Sequence, residues 1–102
     1  MKKTKTSASG TSFHGTTLLA TVNQLVSIIG NPSFKENTGE DKVNFEWNLV
    51  NDAGQVFTVY DWKEYRPIEL NEMIEWHLGG FSLQSTELGK QEMLTALRTV
   101  TA

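Results

Sequence analysis

The chain has 102 residues, of which 38% are hydrophobic and 21% are charged, a composition typical of one globular domain. It contains no cysteine, which excludes disulfide bonds, thiolate metal sites and thiol catalysis and fits a reducing compartment. The formal net charge is −3, but residues 13–102 carry 6 basic and 12 acidic side chains, and this acidic balance argues against binding to duplex nucleic acid.

The opening segment, residues 1–12, contains three lysines among serine, threonine and glycine and almost nothing apolar. This composition predicts a flexible basic tail. No apolar segment follows the lysines as it would in a secretory signal, and the apolar runs of the chain are too short to span a membrane. We therefore expect a cytoplasmic protein with a single domain over residues 13–102.

The first predicted elements are a strand and a helix. Residues 13–20 are rich in β-prone side chains, although Gly15 weakens the pattern. Thr21 and Gln24 have the spacing of a capping box. A helical stripe of apolar residues follows, made of Val22, Leu25, Val26 and Ile29. Gly30 and Pro32 then end the predicted helix.

The middle of the chain predicts a β-hairpin. The first strand alternates, with one set of side chains facing inward (Val43, Phe45, Trp47, Leu49) and the other outward (Asn44, Glu46, Asn48). Residues 51–54 form the predicted turn, in which Gly54 can supply a positive φ. The second strand also alternates, with Val56, Thr58, Tyr60 and Trp62 on one side and Phe57, Val59 and Asp61 on the other.

The C-terminal third predicts one more strand and one more helix. Residues 67–75 fit a short helix or a loop, and Ile74, Trp76 and Leu78 then alternate with Glu75 and His77 as in a strand. A helix follows, capped by Ser85 or Thr86, with an apolar face of Met93, Leu94, Leu97 and Val100. The predicted fold is therefore α+β in the order β-α-β-β-β-α, with two helices on one face of a mostly antiparallel sheet.

The signals for catalysis and for metal binding are weak. His77 could act as a general base with Asp61, Glu64 or Glu75, but no nucleophile motif accompanies it. No paired histidine spacing, calcium loop or phosphate loop is present, and a solvated acidic face explains the glutamates at positions 69, 72 and 75. We predict no catalytic residue, no metal and no cofactor.

The segment YDWKEYRP, residues 60–67, carries the strongest functional signal. It crowds aromatic rings among charges of both signs, as a planar anionic ligand or a protein partner would require. The predicted ligand-binding residues are Trp62, Lys63, Tyr65 and Arg66, together with Trp76 and His77 from a neighbouring strand. A purely structural cluster is the alternative. Three tryptophans in so small a domain further favour a homo-oligomer.

The pieces DKVNFEW, GQVFTVYDWKEYRP and IEWHLGG resemble, in this order, a group of small proteins encoded by bacteriophages. YDWKE (residues 60–64) and WHLGG (residues 76–80) are the most distinctive. The resemblance implies an accessory or counter-defence protein in the cytoplasm of an infected bacterium. The favoured hypothesis is a non-enzymatic protein that sequesters a nucleotide-like ligand. The alternatives are a protein–protein inhibitor or virion accessory protein that uses the same rings, and a small hydrolase or nuclease that uses His77.

Overall fold

A computed structural model describes residues 1–101 and shows one antiparallel sheet with two helices. The strands are β1 (Lys2–Lys3), β2 (Ser12–Ala20), β3 (Phe34–Lys35), β4 (Phe45–Val50), β5 (Val56–Tyr60) and β6 (Ile74–Gly80), and the helices are α1 (Val22–Ile29) and α2 (Leu83–Thr101). The strands lie in the order β1-β4-β5-β6-β2, and β3 pairs with β4 beside β1. The α+β class is confirmed, and the two-residue strands β1 and β3 are additions to the predicted order.

Both helices lie on one face of the sheet and cover its apolar side chains. The longer helix α2 contacts β2, β5 and β6, and α1 packs against α2. The core between these layers is built from buried side chains of every long element (Leu18, Val22, Leu25, Phe45, Trp47, Leu49, Phe57, Val59, Ile74, Trp76, Leu78, Met93). No helix in the described part of the chain is both long and apolar enough to cross a membrane.

Helix α1 has the predicted ends. The Thr21 hydroxyl accepts a hydrogen bond from the Gln24 backbone N–H at 3.0 Å, and the Gln24 side chain accepts one from the Thr21 N–H at 2.9 Å. Gly30 has a φ of +78°, and its N–H bonds the Val26 carbonyl. Because these bonds satisfy groups that a helix end otherwise leaves free, eight residues suffice for a defined helix.

Helix α2 begins earlier than predicted. Its first residue is Leu83, and the Ser82 hydroxyl accepts a hydrogen bond from the Ser85 N–H at 3.1 Å. Ser85 and Thr86, predicted as caps, are buried in its first turn. Both hydroxyls bond backbone carbonyls one turn back, so they lie inside the helix instead of ending it.

Trp76 lies in the core, contrary to its predicted place in a binding site. It is fully buried, its indole N–H donates to the Ala20 carbonyl at 2.9 Å, and its ring meets that of Trp47 edge to face at 5.5 Å. Alternation along β6 explains the result: successive side chains point to opposite faces, so Trp76 and His77 cannot serve the same surface.

The two residues before β4 depart from the alternation that the sequence predicts for this strand. Asn44 is buried and Val43 is only half-buried, whereas the sequence pattern placed them the other way round. The reason is a polar contact that the pattern could not contain. The Asn44 side chain donates to Asp61 at 3.1 Å and to the Arg66 carbonyl at 3.0 Å, so burial of its amide is compensated by hydrogen bonds.

Part of the segment predicted to be a flexible tail lies in the sheet. Lys2 and Lys3 pair with Val50 and Leu49 of β4, and Met1 packs against the core. The N-terminal ammonium contacts the carboxylates of Asp52 and Glu92, which raise its pKa. Main-chain pairing at the free edge of β4 gives this polar segment an ordered place without burying its lysine side chains.

Candidate functional site

The face of the sheet opposite the helices carries a polar and aromatic row. Glu46 of β4 lies opposite Tyr60 of β5, Tyr60 lies opposite His77 of β6, and His77 lies opposite Thr17 of β2. Their sequence neighbours point to the helix-covered side, where Trp47, Val59, Trp76 and Leu78 are among the buried residues. The row therefore crosses four strands on the open face.

Four rings on this face form one cluster, the aromatic patch, consisting of Phe13, Tyr60, Trp62 and His77. The imidazole of His77 stacks on Phe13 with a centroid distance of 4.2 Å and lies near-parallel to Trp62 at 6.4 Å. Tyr60 meets both His77 and Trp62 edge to face, at 5.7 and 6.1 Å. The rings come from β2, β5, β6 and the segment after β5, so only the folded sheet assembles them.

Trp62 is the member of the patch that two cations approach. Its side chain is 41% exposed. The ammonium groups of Lys63 and Lys42 lie 5.4 and 6.0 Å from its ring centroid, within the range of a cation–π contact. An exposed indole beside two ammonium groups offers both a stacking surface and positive charge.

The segment after β5, residues 61–66, is named the aromatic loop. Its backbone is unusual, because Lys63 and Tyr65 have φ values of +54° and +50° although neither is glycine. The left-handed conformation costs a residue with a Cβ about 1–2 kcal/mol. Such strain persists where surrounding contacts enforce it, and it is concentrated at functional sites in proteins.

Asp61 anchors the start of the aromatic loop. It is fully buried, and one carboxylate oxygen accepts hydrogen bonds from the backbone N–H groups of Asn44 and Phe45, each at 2.8 Å. The other oxygen accepts the Asn44 side-chain bond. A buried carboxylate with three donors is a structural anchor, since its bonds compensate the loss of water.

The rest of the loop is held against the segment before β4. The Lys63 N–H donates to the Lys42 carbonyl at 2.8 Å. At Gly39 the two backbones approach so closely that a Cβ would lie 2.5 Å from the Arg66 Cα. These contacts fix the loop in its strained conformation and bring Lys42 beside Trp62.

Arg66 is engaged by carboxylates rather than free for a ligand. Its guanidinium forms a bidentate pair with Glu72, at 2.6 and 2.8 Å, and lies 3.5 Å from Glu64. Glu72 raises the pKa of Arg66, and Arg66 in turn lowers the pKa of Glu72. This pair joins the end of the aromatic loop to the turn that precedes β6.

Partial burial shifts the pKa values of the row on the open face. It lowers the pKa of His77, against a smaller opposite effect of Glu75. It raises the pKa of Glu46 and that of Tyr60, to which the charge of Glu46 also contributes. Neutral His77 is therefore favoured, which suits a ring that stacks on Phe13.

The predicted site residues thus separate into three groups. Trp62, Lys63 and His77 belong to the patch and its cations, and Tyr65 is 55% exposed on the same loop. Trp76 is in the core, and Arg66 is paired. Sequence reasoning missed Phe13, Tyr60 and Lys42 as site residues. The sequence did indicate that Tyr60 lies on the same side of the strand as Trp62, because the two are two positions apart. Phe13 and Lys42 join the site only through contacts between distant parts of the chain.

The histidines have surroundings that differ from a hydrolytic site. Asp61, considered as a partner of His77, directs its carboxylate to Asn44 and Phe45. His77 itself is surrounded by rings. His14 forms a hydrogen bond from its Nε2 to the Gly80 carbonyl at 2.9 Å. The described surroundings of His77 are thus mainly aromatic, and the charge of Glu75 also acts on it.

Comparison with known proteins gives no relative: neither a protein-family model, nor a curated protein, nor a solved structure matches the chain.

Proposed function

We propose that this is a non-enzymatic binding protein whose aromatic patch takes a planar anionic ligand of the nucleotide type. The ligand ring would stack on Trp62, and the ammonium groups of Lys42 and Lys63 would contact its phosphate. In the setting that the phage resemblance implies, sequestration of such a ligand is a counter-defence activity in the bacterial cytoplasm.

The observation that carries the proposal is the strained loop that holds Trp62 exposed between two lysines. A protein gains no stability from left-handed Lys63 and Tyr65, yet the hydrogen bonds that buried Asp61 accepts and the close backbone approach at Gly39 hold the loop in this conformation. A preorganised ring and charge lower the entropic cost of binding. Stacking of a base on an aromatic side chain contributes about 1–3 kcal/mol.

The charge distribution supports a small molecule as the ligand. The whole chain has a net charge of −3, and Glu46 and Glu75 share the open face with the patch. Two lysines beside one ring suit a single phosphate group. A long polyanion would meet the carboxylates as well, and its counterion release would be small.

Isothermal titration calorimetry with adenosine monophosphate, cyclic nucleotides and adenosine tests the proposal. We expect Trp62→Ala to weaken nucleotide binding about tenfold or more, because the stacking energy is lost. The double variant Lys42→Ala/Lys63→Ala should weaken binding of the monophosphate but leave the weaker binding of adenosine unchanged.

The matched control is Arg66→Ala, which removes a cation of the same loop that is already paired with Glu72. It should leave nucleotide affinity within about twofold, which corresponds to about 0.4 kcal/mol. Absence of heat with every nucleotide, or equal losses in the Arg66 and Trp62 variants, would contradict the proposed site.

A protein partner is the second candidate, because the open face also exposes large apolar side chains. Phe13 is 43% exposed and Leu19 is 65% exposed, both on β2 at the edge of the sheet. A second copy of the chain would be one such partner, as the predicted homo-oligomer requires. Analytical ultracentrifugation of the wild type and of Leu19→Ser tests self-association. If the chain associates through this surface, the wild type is an oligomer and the Leu19→Ser variant is a monomer.

A further inference from the structure

The edge of the sheet formed by β4, which is the edge opposite β2, has a gap between β1 and β3 that we call the notch. Strands β1 and β3 both pair with this edge of β4, β1 at residues 49–50 and β3 at residues 45–46. Between them Asn48 is held from two sides: its carbonyl accepts from the Thr4 N–H, and its own N–H donates to the Ser33 hydroxyl, each at 3.0 Å. The side chains around this gap line a cavity.

The cavity has a volume of about 520 Å³, which is the size of a small-molecule site. It is lined by Lys3, Thr4, Lys5, Asn31, Pro32, Ser33 and Asn48. In the described part of the chain neither lysine has a carboxylate within 4 Å of its ammonium group. The Lys3 ammonium donates to the Asn31 carbonyl at 3.3 Å, which holds it at the cavity wall.

The Asn48 amide is a second unusual feature of the cavity. Its Oδ1 is buried without a hydrogen-bond partner, the one such side-chain atom among the residues described. Its Nδ2 makes no hydrogen bond within the described chain either. A polar group left in this state costs stability unless another molecule pairs with it. The Nδ2 end of the amide, which is not among the buried unpaired atoms, is the donor that Asn48 can offer at the cavity wall.

We propose that this notch binds a phosphate group, through Lys3, Lys5 and the amide of Asn48. Two ammonium groups that have no carboxylate partner favour an anion with several acceptor oxygens. At neutral pH phosphate also carries an O–H donor part of the time, since its second pKa is close to 7, whereas sulfate carries none. Phosphate can therefore satisfy either end of the Asn48 amide once this side chain turns toward it.

The site is separate from the aromatic patch and does not depend on the proposed nucleotide function. Its lysines come from the N-terminal segment, whereas Lys42 and Lys63 serve Trp62. The phosphate can be free or belong to a phosphate monoester. Both sources share the same recognition chemistry, and a titration with each distinguishes them.

A nitrogen–proton NMR titration of the full chain tests the proposal, with inorganic phosphate, sulfate and glycerol phosphate as probes at constant ionic strength. We expect saturable shifts of the Asn48 side-chain amide and of the Thr4 and Ser33 backbone signals with phosphate, and at least about fivefold weaker binding of sulfate. Tighter binding of glycerol phosphate than of phosphate identifies the monoester as the source, and the reverse identifies the free ion.

Two double variants with the same change of net charge provide the control. Lys3→Ala/Lys5→Ala should weaken phosphate binding about tenfold or more, while Lys90→Ala/Arg98→Ala on α2, where neither residue lines the cavity, should leave it unchanged. Asn48→Ala should weaken binding without lowering the melting temperature, because it removes an unpaired buried acceptor. Equal losses in both double variants, no saturation with phosphate, or unchanged affinity in the Asn48 variant would overturn the proposal.

Discussion

At the scale of single residues, the aromatic loop combines exposed side chains with a strained backbone. Lys63 and Tyr65 occupy a backbone conformation that glycine or asparagine adopts more easily. Their side chains are exposed, so burial does not explain the choice of residue. The strain is enforced by contacts with the segment before β4: the buried Asp61 carboxylate accepts a hydrogen bond from the Asn44 N–H, and the Lys63 N–H donates one to the Lys42 carbonyl.

The first prediction compares two substitutions at Lys63. Lys63→Gly should be more stable than Lys63→Ala by about 1 kcal/mol in free energy of unfolding, because alanine keeps the Cβ strain and glycine removes it. Urea unfolding of both variants measures the difference. At Lys35, which lies in a strand, the alanine variant should instead be more stable than the glycine variant. Equal stabilities at position 63 would show that the loop relaxes without cost.

The second prediction concerns His77 and pH. Burial lowers its pKa in the folded protein below the ordinary value of 6.5. Protonation therefore favours unfolding, and the stability that neutral His77 contributes is present above pH 6.5 and lost as pH falls through the folded pKa. We expect the free energy of unfolding of the wild type to fall more steeply between pH 7.5 and 5.5 than that of His77→Phe.

The comparison isolates His77 because the raised pKa of Glu46 acts in both proteins and in the opposite direction, favouring the folded state as pH falls. Parallel pH profiles for the two proteins would mean that His77 titrates alike in the folded and unfolded chains.

At the scale of elements, β2 combines a free sheet edge with a built-in interruption. Its pairing with β6 shifts register between Phe13 and Thr17, and Gly15 has a φ of +94° within this bulge. Thr16 in the bulge turns to α2, where it bonds Thr86 and Glu87. Bulges protect edges from pairing with other chains, so an association through β2 is expected to use side chains rather than continuous strand pairing.

The third prediction concerns the contact of α2 with the sheet. At Gly89 an added Cβ would lie 2.7 Å from the ring of Phe57, which is fully buried. Gly89→Ala should therefore lower the free energy of unfolding by about 1–2 kcal/mol, despite the gain of about 1 kcal/mol in helix propensity. Thr95 is exposed on the same helix, and Thr95→Ala should leave the free energy of unfolding unchanged or raise it. A stabilised Gly89 variant would mean that α2 shifts away freely.

At the scale of the whole molecule, one core accommodates more of the aromatic content than the sequence suggested. Trp47 and Trp76 are fully buried, and each indole N–H has a carbonyl partner. Trp62 alone of the three tryptophans is partly exposed. The expectation of a homo-oligomer therefore depends on Trp62 and the open face, and no longer on a shortage of core volume.

The fourth prediction tests this distribution in solution. Acrylamide should quench only part of the tryptophan fluorescence of the wild type, because two of the indoles are shielded. Trp62→Phe should remove the quenchable part and shift the emission to shorter wavelength, while the free energy of unfolding changes little. If Trp62→Phe leaves the quenching unchanged, Trp62 is covered in solution, as a self-association through the open face would require.

Local patterns in the sequence determined most of the fold. The capping box at Thr21, the alternation in β5 and the turn at Gly54 each depend on residues a few positions apart, so the helix α1 and the hairpin were predicted within narrow bounds. The same local information identified Trp62 and Lys63 as unusual, since rings among charges need no partner from elsewhere in the chain to be recognised.

Tertiary structure alone decided which unusual residues form one site. Phe13 stacks on His77 although the two lie 64 positions apart in the sequence. Arg66 forms an ion pair with Glu72 because of a turn that no sequence periodicity predicts. Trp76 was grouped with His77 although the two alternate along one strand, and only the packed sheet shows which of them faces the core. Sequence spacing specifies local geometry, but strand register and side-chain pairing are set by the free energy of the whole packed sheet.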